Sequence, residues 1–225
     1  MIILIMAAFA ILAFFANMTI KSSGVRYTVT LLMFAGLILS VTALVGNMHD
    51  HYGMEKVTTT SKKVIHSAGA GDQGFGVLLY QNVGTDGKEN VYIYRKSATD
   101  KKTTVSKPDL KTSSSRTDIS GNKAYQVTQT TRFVYKSNGF KFLFGIAGND
   151  HELKHRHVTY QVPATWIAMT TAQAEALPGK LAPKSAADKA AAEQQKKQLS
   201  ALTQVNPDKA ATLQVEQIKK ILQGN

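Results

Sequence analysis

Histidine is the side chain here best suited to chemistry at neutral pH, and the chain has six. His151, His155 and His157 lie close together in sequence, and in a strand His155 and His157 share a face. Imidazoles converging on one ion, joined by a ligand from the preceding loop such as His151 or Glu152, would build a zinc-type site, which ordinarily takes four ligands. The competing reading is an exposed strand whose imidazoles hydrogen-bond to their neighbours. No His-Glu-x-x-His pair and no acidic calcium loop accompanies the cluster, so His151, His155 and His157 stand as metal candidates behind that plainer role. His49 and His51 flank Asp50 just after a long apolar run, where interfacial positioning is the simpler account.

Other chemistries find less support. Gly69, Gly71 and Gly74 imitate a dinucleotide loop, but the following residues 75–80 read as a strand where that fingerprint needs a helix. No Gly-x-Ser-x-Gly elbow occurs, and the scattered carboxylates show no glycosidase-like pairing. Without cysteine there is no thiol nucleophile, disulfide or Cys-ligated zinc. The expectation is a protein without catalytic residues and without a cofactor.

The elements that would position these residues fall into three parts. Residues 1–48 contain none of the 15 acidic side chains and, of the 27 basic ones, only Lys21 and Arg26. Two uncharged runs, with helices expected over residues 2–20 and 27–48, meet or approach the roughly 20 apolar residues needed to cross a bilayer. The cationic turn between them, with Gly24, suits a transmembrane helical hairpin. A cleavable signal peptide is the rival for the first run, but it lacks a basic beginning and a good small-residue cleavage site. The turn's cations favour the cytoplasm, whereas Lys56, Lys62 and Lys63 follow the second helix. Long domains translocate largely regardless of charge, so both termini are expected outside the cell membrane. Gly36 and Ser40 form a small-xxx-small pair that Ala7, Ala10 and Ala13, or a partner helix, would approach closely.

Residues 49–178 read as an extracytoplasmic, β-rich domain. β-branched runs at 57–60 and 63–66 precede a hairpin whose Asp86-Gly87 turn joins residues 75–80 to 90–95, with Tyr92 and Tyr94 on one face. Residues 111–118 read as a loop or edge. Residues 124–135 form a long strand, 137–139 a turn, 140–144 a returning strand and 155–162 another. Trp166, Ile167 and Met169 close the core, and Thr171 caps a helical turn that Pro178-Gly179 ends. Seven or eight short strands point to an antiparallel β-sandwich or barrel-like domain.

Residues 179–225 form a basic tail rich in Ala, Lys and Gln. Ser185 and Asp188 read as a capping box for a helix over 186–203. Asn206, Pro207 and Asp208 start a second helix, on which Ala211, Val215, Ile218 and Leu222 share one apolar face. The fold class is thus a membrane-anchored α+β protein: hairpin, β domain, C-terminal helices. Its formal charge of +12 attracts polyanions at short range, so anionic cell-wall polymers or anionic lipids are candidate partners beside the bilayer itself. Nucleic acid is not expected, since aromatic platforms interleaved with cations are not apparent.

The order of parts, with His51-Tyr52-Gly53-Met54 at the junction, Val162-Pro163-Ala164-Thr165-Trp166 near the end of the β region, and the Ala/Lys/Gln-rich end, resembles a family of uncharacterised membrane proteins of lactic-acid bacteria, catalogued only as a domain of unknown function. The resemblance implies the membrane of a Gram-positive cell and carries over no catalytic residues. The function expected is cell-envelope binding or scaffolding. The alternatives are an accessory subunit docking through the Gly36/Ser40 face, or a metal-dependent envelope enzyme using the His151 cluster.

Overall fold

The computed structural model describes residues 1–69, 74–83, 90–183 and 186–224. The Asp86-Gly87 turn, the Ser185 cap and residues 70–73 of the glycine-rich loop lie outside them. The expected α+β organisation is present, with two N-terminal apolar helices, eight strands in two sheets, and C-terminal helices.

Helix α1 spans Ile2–Thr19 and α2 Ser23–Asp50. The connection is shorter than the cationic turn read from sequence: α2 already includes Gly24 and Arg26, whose N–H donates to Ser22 O at 2.9 Å. First-turn amides need no intrahelical partner, so the polar residues there extend the helix at little cost. At its other end α2 stops at His51, which adopts the left-handed conformation (φ 57°), and Tyr52 N closes the turn onto Gly46 O.

The strands are β1 (Met54–Ile65), β2 (Gly76–Gln81), β3 (Val91–Tyr94), β4 (Thr104–Val105), β5 (Thr112–Ile119), β6 (Ala124–Tyr135), β7 (Glu152–Pro163) and β8 (Trp166–Thr170). They form two four-stranded sheets in the orders β1-β6-β7-β5 and β4-β3-β2-β8. Pairing is mixed, which corrects the all-antiparallel expectation. β5 runs parallel to β7 and β2 parallel to β8, because each pair is joined through intervening elements rather than a hairpin. The Ser/Thr-rich segment read as loop or edge is strand β5, at the edge of its sheet. The two early β-branched runs merge into β1, the opposite edge.

Residues 140–144 are helical, not a strand. Helix α3 covers Asn138–Phe144, started by Ser137, whose Oγ accepts from Phe140 N. The alternating phenylalanines imitate a strand, but Phe140 and Phe144 stack at i, i+4 with ring centroids 6.3 Å apart while Phe142 faces outward. A single 3-10 turn, Gly145–Ala147, follows. Helix α4 (Thr171–Leu181) is capped by Thr170 rather than Thr171, in a reciprocal capping box with Gln173. It runs past Pro178, which removes one backbone bond in the last turns without ending the helix. Helices α5 (Ala186–Val205) and α6 (Pro207–Gln223) complete the chain, α6 with Asn206 as its cap and Pro207 in its first turn, as the sequence predicts.

Packing divides the chain into two compact units that are not sequential blocks. One comprises Met1–Thr59 with Thr130–Lys154, the other Thr60–Gln129 with His155–Asn225. In the first, Ile2 and Met6 of α1 and Ala43 and Leu44 of α2 join Met54, Phe133, Tyr135, Phe140 and Phe144 in one apolar cluster. In the second, the two sheets share a core of Ile65, Leu78, Tyr92, Tyr94, Ala124, Val158, Tyr160 and Val162. The far face of β2 and β8, through Val77, Ile167 and Met169, packs on Val215 and Ile218 of α6 and on Ala174 and Leu177 of α4. β2 is therefore buried on both faces, which explains its unbroken apolar run.

Candidate functional site

The parallel β5–β7 pair creates a polar constellation in the second unit. Parallel register sets Ser113 opposite His157, Ser115 opposite Thr159 and Thr117 opposite Gln161, so these side chains share the face opposite to core residues Val158, Tyr160 and Val162. Ser113 Oγ lies 3.0 Å from His155 Nε2 and 2.7 Å from His157 Nδ1. Ser115 Oγ lies 2.9 Å from His157 Nε2 and 3.4 Å from Thr159 Oγ1. Both ring nitrogens of His157 are thus held by serine hydroxyls. A hydroxyl donates or accepts as required, so the ladder accommodates either tautomer.

A serine hydroxyl 2.7 Å from an imidazole has the spacing of an activated nucleophile. Among the described residues, however, no carboxylate orients either ring. What this face offers is an array of hydroxyl, imidazole and amide groups. A cation joins the same unit where Lys62 Nζ of β1 sits 4.0 Å from the centre of the Tyr125 ring of β6.

The remaining histidines are dispersed. His151 Nδ1 pairs with Asp150 at 3.1 Å, its backbone is left-handed (φ 62°), and its carbonyl accepts from Arg132 Nη1 at 2.7 Å. Burial opposes ionisation of Asp150, but Lys141 at 3.1 Å and His151 outweigh it and hold the carboxyl below its usual range. His49 pairs with neighbouring Asp50. His66 makes an antiparallel backbone bridge with Arg95. Among the described residues no group of three His, Asp or Glu side chains is placed to hold a metal ion. Of the three candidates, the structure joins His155 and His157 through Ser113, while His151 bonds to Asp150 in the other unit.

In the first unit the polar groups form a mount for the helical hairpin. Asn47, fully buried on α2, donates from Nδ2 to Tyr52 O at 2.8 Å. Asn149 Nδ2 donates to Asn47 O and Oδ1 at 3.2 and 3.1 Å, and Asn149 Oδ1 accepts from the Tyr135 hydroxyl at 2.6 Å. His51 stacks on Phe133 with centroids 3.6 Å apart, and its Nε2 lies 3.2 Å from Glu152. The neighbouring Lys56 ammonium draws exposed Lys154 below the usual lysine range.

Gly36 and Ser40 serve packing inside the hairpin. The Phe9 ring lies where a Cβ on Gly36 would be, within 2.6 Å of it, and Ser40 Oγ donates to Gly36 O at 2.8 Å. The approach expected of Ala7, Ala10 and Ala13 is made at Gly36 by an aromatic ring. Sequence reading missed Ser113 and Ser115 as partners of the histidines, and missed Asn47 and Asn149. An asparagine inside an otherwise apolar helix is the one signal that marks the mount.

Residues 22–177, more than half the chain, match the model of a family described as a domain of unknown function, DUF4811. Helix α1 and the α5–α6 tail fall outside the matched span. No curated protein and no solved structure matches the chain.

Proposed function

Since the chain belongs to the DUF4811 family, whose role is unassigned, we propose from its own architecture that it is a membrane-anchored binding or scaffolding protein of the cell envelope. Its basic strand region would contact anionic polymers or lipid head groups. The observation that carries this reading is the surface of α1 and α2. Both are long and apolar enough to cross a membrane, yet only 11% and 6% of their most apolar windows are buried. Leu31 and Leu39 are exposed at 71% and 70%. The core helix of a water-soluble protein would hide such residues. At 1.5 Å per residue, α1 is about 27 Å and α2 about 42 Å long, so a hydrocarbon layer of about 30 Å is spanned by α2 and nearly so by α1.

Retention of α1, rather than its removal as a signal segment, is supported by the cluster that Ile2 and Met6 form with Met54, Tyr135 and Phe144. Cleavage after α1 would strip that cover. Within the first unit, the Asn47–Asn149–Tyr135 bonds tie the end of α2 to β6 and to the segment before β7, so the hairpin has a fixed footing there. With both helices crossing, the β region and both termini lie on one side, and the charge argument favours the outside.

The test is carbonate extraction followed by protease treatment of intact cells carrying a C-terminal tag. Retention in the membrane pellet and loss of the tag in unbroken cells are expected. Release at alkaline pH would overturn the anchor, and a tag protected until lysis would overturn the orientation.

A further inference from the structure

We propose that the cleft beside Trp166 binds an anionic saccharide, a sugar unit carrying a phosphate or carboxylate. The proposal rests on the reading that the β region contacts anionic envelope polymers, and gives that contact a site.

The cleft lies in the second unit, where two sheet edges come together. β5 ends one sheet and β8 ends the other, and the last turns of α6 supply a third wall. A cavity of about 220 Å³ is lined by Tyr80, Trp166, Arg116, Asp118, Gln173 and Lys219 among others. A second, of about 280 Å³, adjoins it, and Asp118, Trp166 and Lys219 line both. Together they reach the lower range of ligand pockets, about 300–1,000 Å³.

Three features select the ligand. The first is a rigid aromatic wall. Gly76 is the register partner of Trp166 in the parallel β2–β8 pair, and a Cβ there would fall 2.2 Å from the indole. The indole therefore lies on bare backbone, fixed in place, with Tyr80 as the second ring lining the same cavity. Flat apolar rings are the surfaces on which the C–H faces of pyranoses stack, while the sugar hydroxyls stay free for hydrogen bonds.

The second feature is positive charge whose hydrogen-bond donors are not taken up by protein among the described residues. Arg116 Nε is 3.9 Å from Asp118 Oδ1, too far for a hydrogen bond. Neither Arg116 nor Lys219 hydrogen-bonds to protein among the described residues. A guanidinium with its donors free favours a phosphate or carboxylate, which it grips through two parallel bonds. The third is a set of groups for hydroxyls. Asp118 accepts only, while Gln173 spends its Oε1 on Thr170 N at 2.9 Å and leaves its amide N–H groups available. Asp118 also disfavours a bare anion, so the sugar and its charge are needed together.

Trp166 is the sole tryptophan of the chain, so its fluorescence reads the cleft without a label. The detergent-solubilised full chain is titrated with N-acetylglucosamine 1-phosphate, glucuronate, N-acetylglucosamine and inorganic phosphate. A saturable change is expected with at least one of the two charged sugars, with a dissociation constant on the order of millimolar. The neutral sugar and free phosphate are expected to be at least tenfold weaker. Arg116→Gln and Lys219→Gln should each weaken the response about tenfold without lowering the melting temperature. No saturable change with either charged sugar, or an equal change with inorganic phosphate, overturns the proposal. Retention of the same protein on a polyphosphate column separates the two claims. Retention with a silent tryptophan removes the cleft and leaves the polyanion reading standing, whereas loss of both removes both.

Discussion

Helices α2 and α6 sort their residues in opposite senses. α6 buries Ala210, Ala211, Val215 and Ile218 and turns Lys209, Lys219 and Lys220 outward. α2 buries Ser40 and Asn47 and turns Leu31, Leu32, Leu39 and Val45 outward. In water the hydrophobic effect drives the α6 arrangement. In hydrocarbon that drive is absent between helices, and close approach of small residues plus internal hydrogen bonds takes over. One chain thus carries two folding rules. The β-rich second unit is held by apolar burial, whereas the hairpin-bearing first unit adds to its apolar cluster a buried polar lock and an exposed apolar surface on α1 and α2.

The largest effect that would sharpen this contrast lies in the two-sheet core. Tyr160, with 1% exposure, stacks on Tyr92 at 4.1 Å and touches Tyr94 at 5.8 Å. Tyr160→Ala should cost about 3–5 kcal/mol, the usual range for deleting a large buried ring. Urea unfolding followed by the fluorescence of Trp166 measures it, and a loss under 1 kcal/mol would contradict the burial rule for this unit. Membrane retention should be unchanged.

The next effect has opposite signs under the two rules. Leu39→Lys places a charge near the middle of α2. In lipid this costs about 2.5–3.5 kcal/mol of insertion free energy, so carbonate-resistant protein should fall. Were α2 a water-exposed helix, the same change would raise solubility and leave stability within about 0.5 kcal/mol. A more soluble, fully stable variant would break the comparison outright.

The polar lock comes third. Asn47→Leu removes the donor to Tyr52 O and one of the two acceptors of Asn149 Nδ2, which keeps Asn47 O. Leaving Tyr52 O without that donor should cost about 1–3 kcal/mol. Because the lock belongs to the hairpin mount, the loss should appear as faster proteolysis near residues 47–54, with the melting of the two-sheet core unaffected.

How much of this was legible follows the same division. Period-3.6 spacing identified the apolar face of α6, and period-2 spacing separated Tyr92 and Tyr94 from Val91 and Ile93, because one-sided burial leaves a readable rhythm. The apolar lengths of α1 and α2 likewise marked membrane candidates, though which residues faced inward was hidden, since lipid-facing and packed positions are both apolar. The three alternating phenylalanines of α3 misled because two of them also satisfy i, i+4. The Ser113–His157 ladder was invisible for a different reason. It depends on parallel pairing of strands about 40 residues apart in sequence, a long-range choice that no local pattern records.

The smallest expected effect is in pH dependence, and it again separates the units. Burial raises the phenol of Tyr160, and also those of Tyr92 and Tyr94, above the ordinary tyrosine value near 10. Below that pH both folded and unfolded chains keep these protons, and no stability is lost. Above it the unfolded chain releases protons that the folded core retains, so stability falls as pH rises. Tyr160→Phe removes the most strongly shifted of the three groups. At neutral pH it should melt within a few degrees of the parent, and between pH 10 and 11 its decline should be shallower. The acid limb belongs to the other unit, where Asp150 is held low by Lys141 and His151. Its contribution is complete above the ordinary aspartate value and is lost as pH falls through the depressed one. Asp150→Asn should therefore flatten the acid limb, its effect on the alkaline limb being confined to Tyr135, whose phenol is raised by burial and then by the Asp150 charge. Equal effects of both substitutions on both limbs would mean that the two units unfold as one, and that the contrast between α2 and α6 ends at their surfaces.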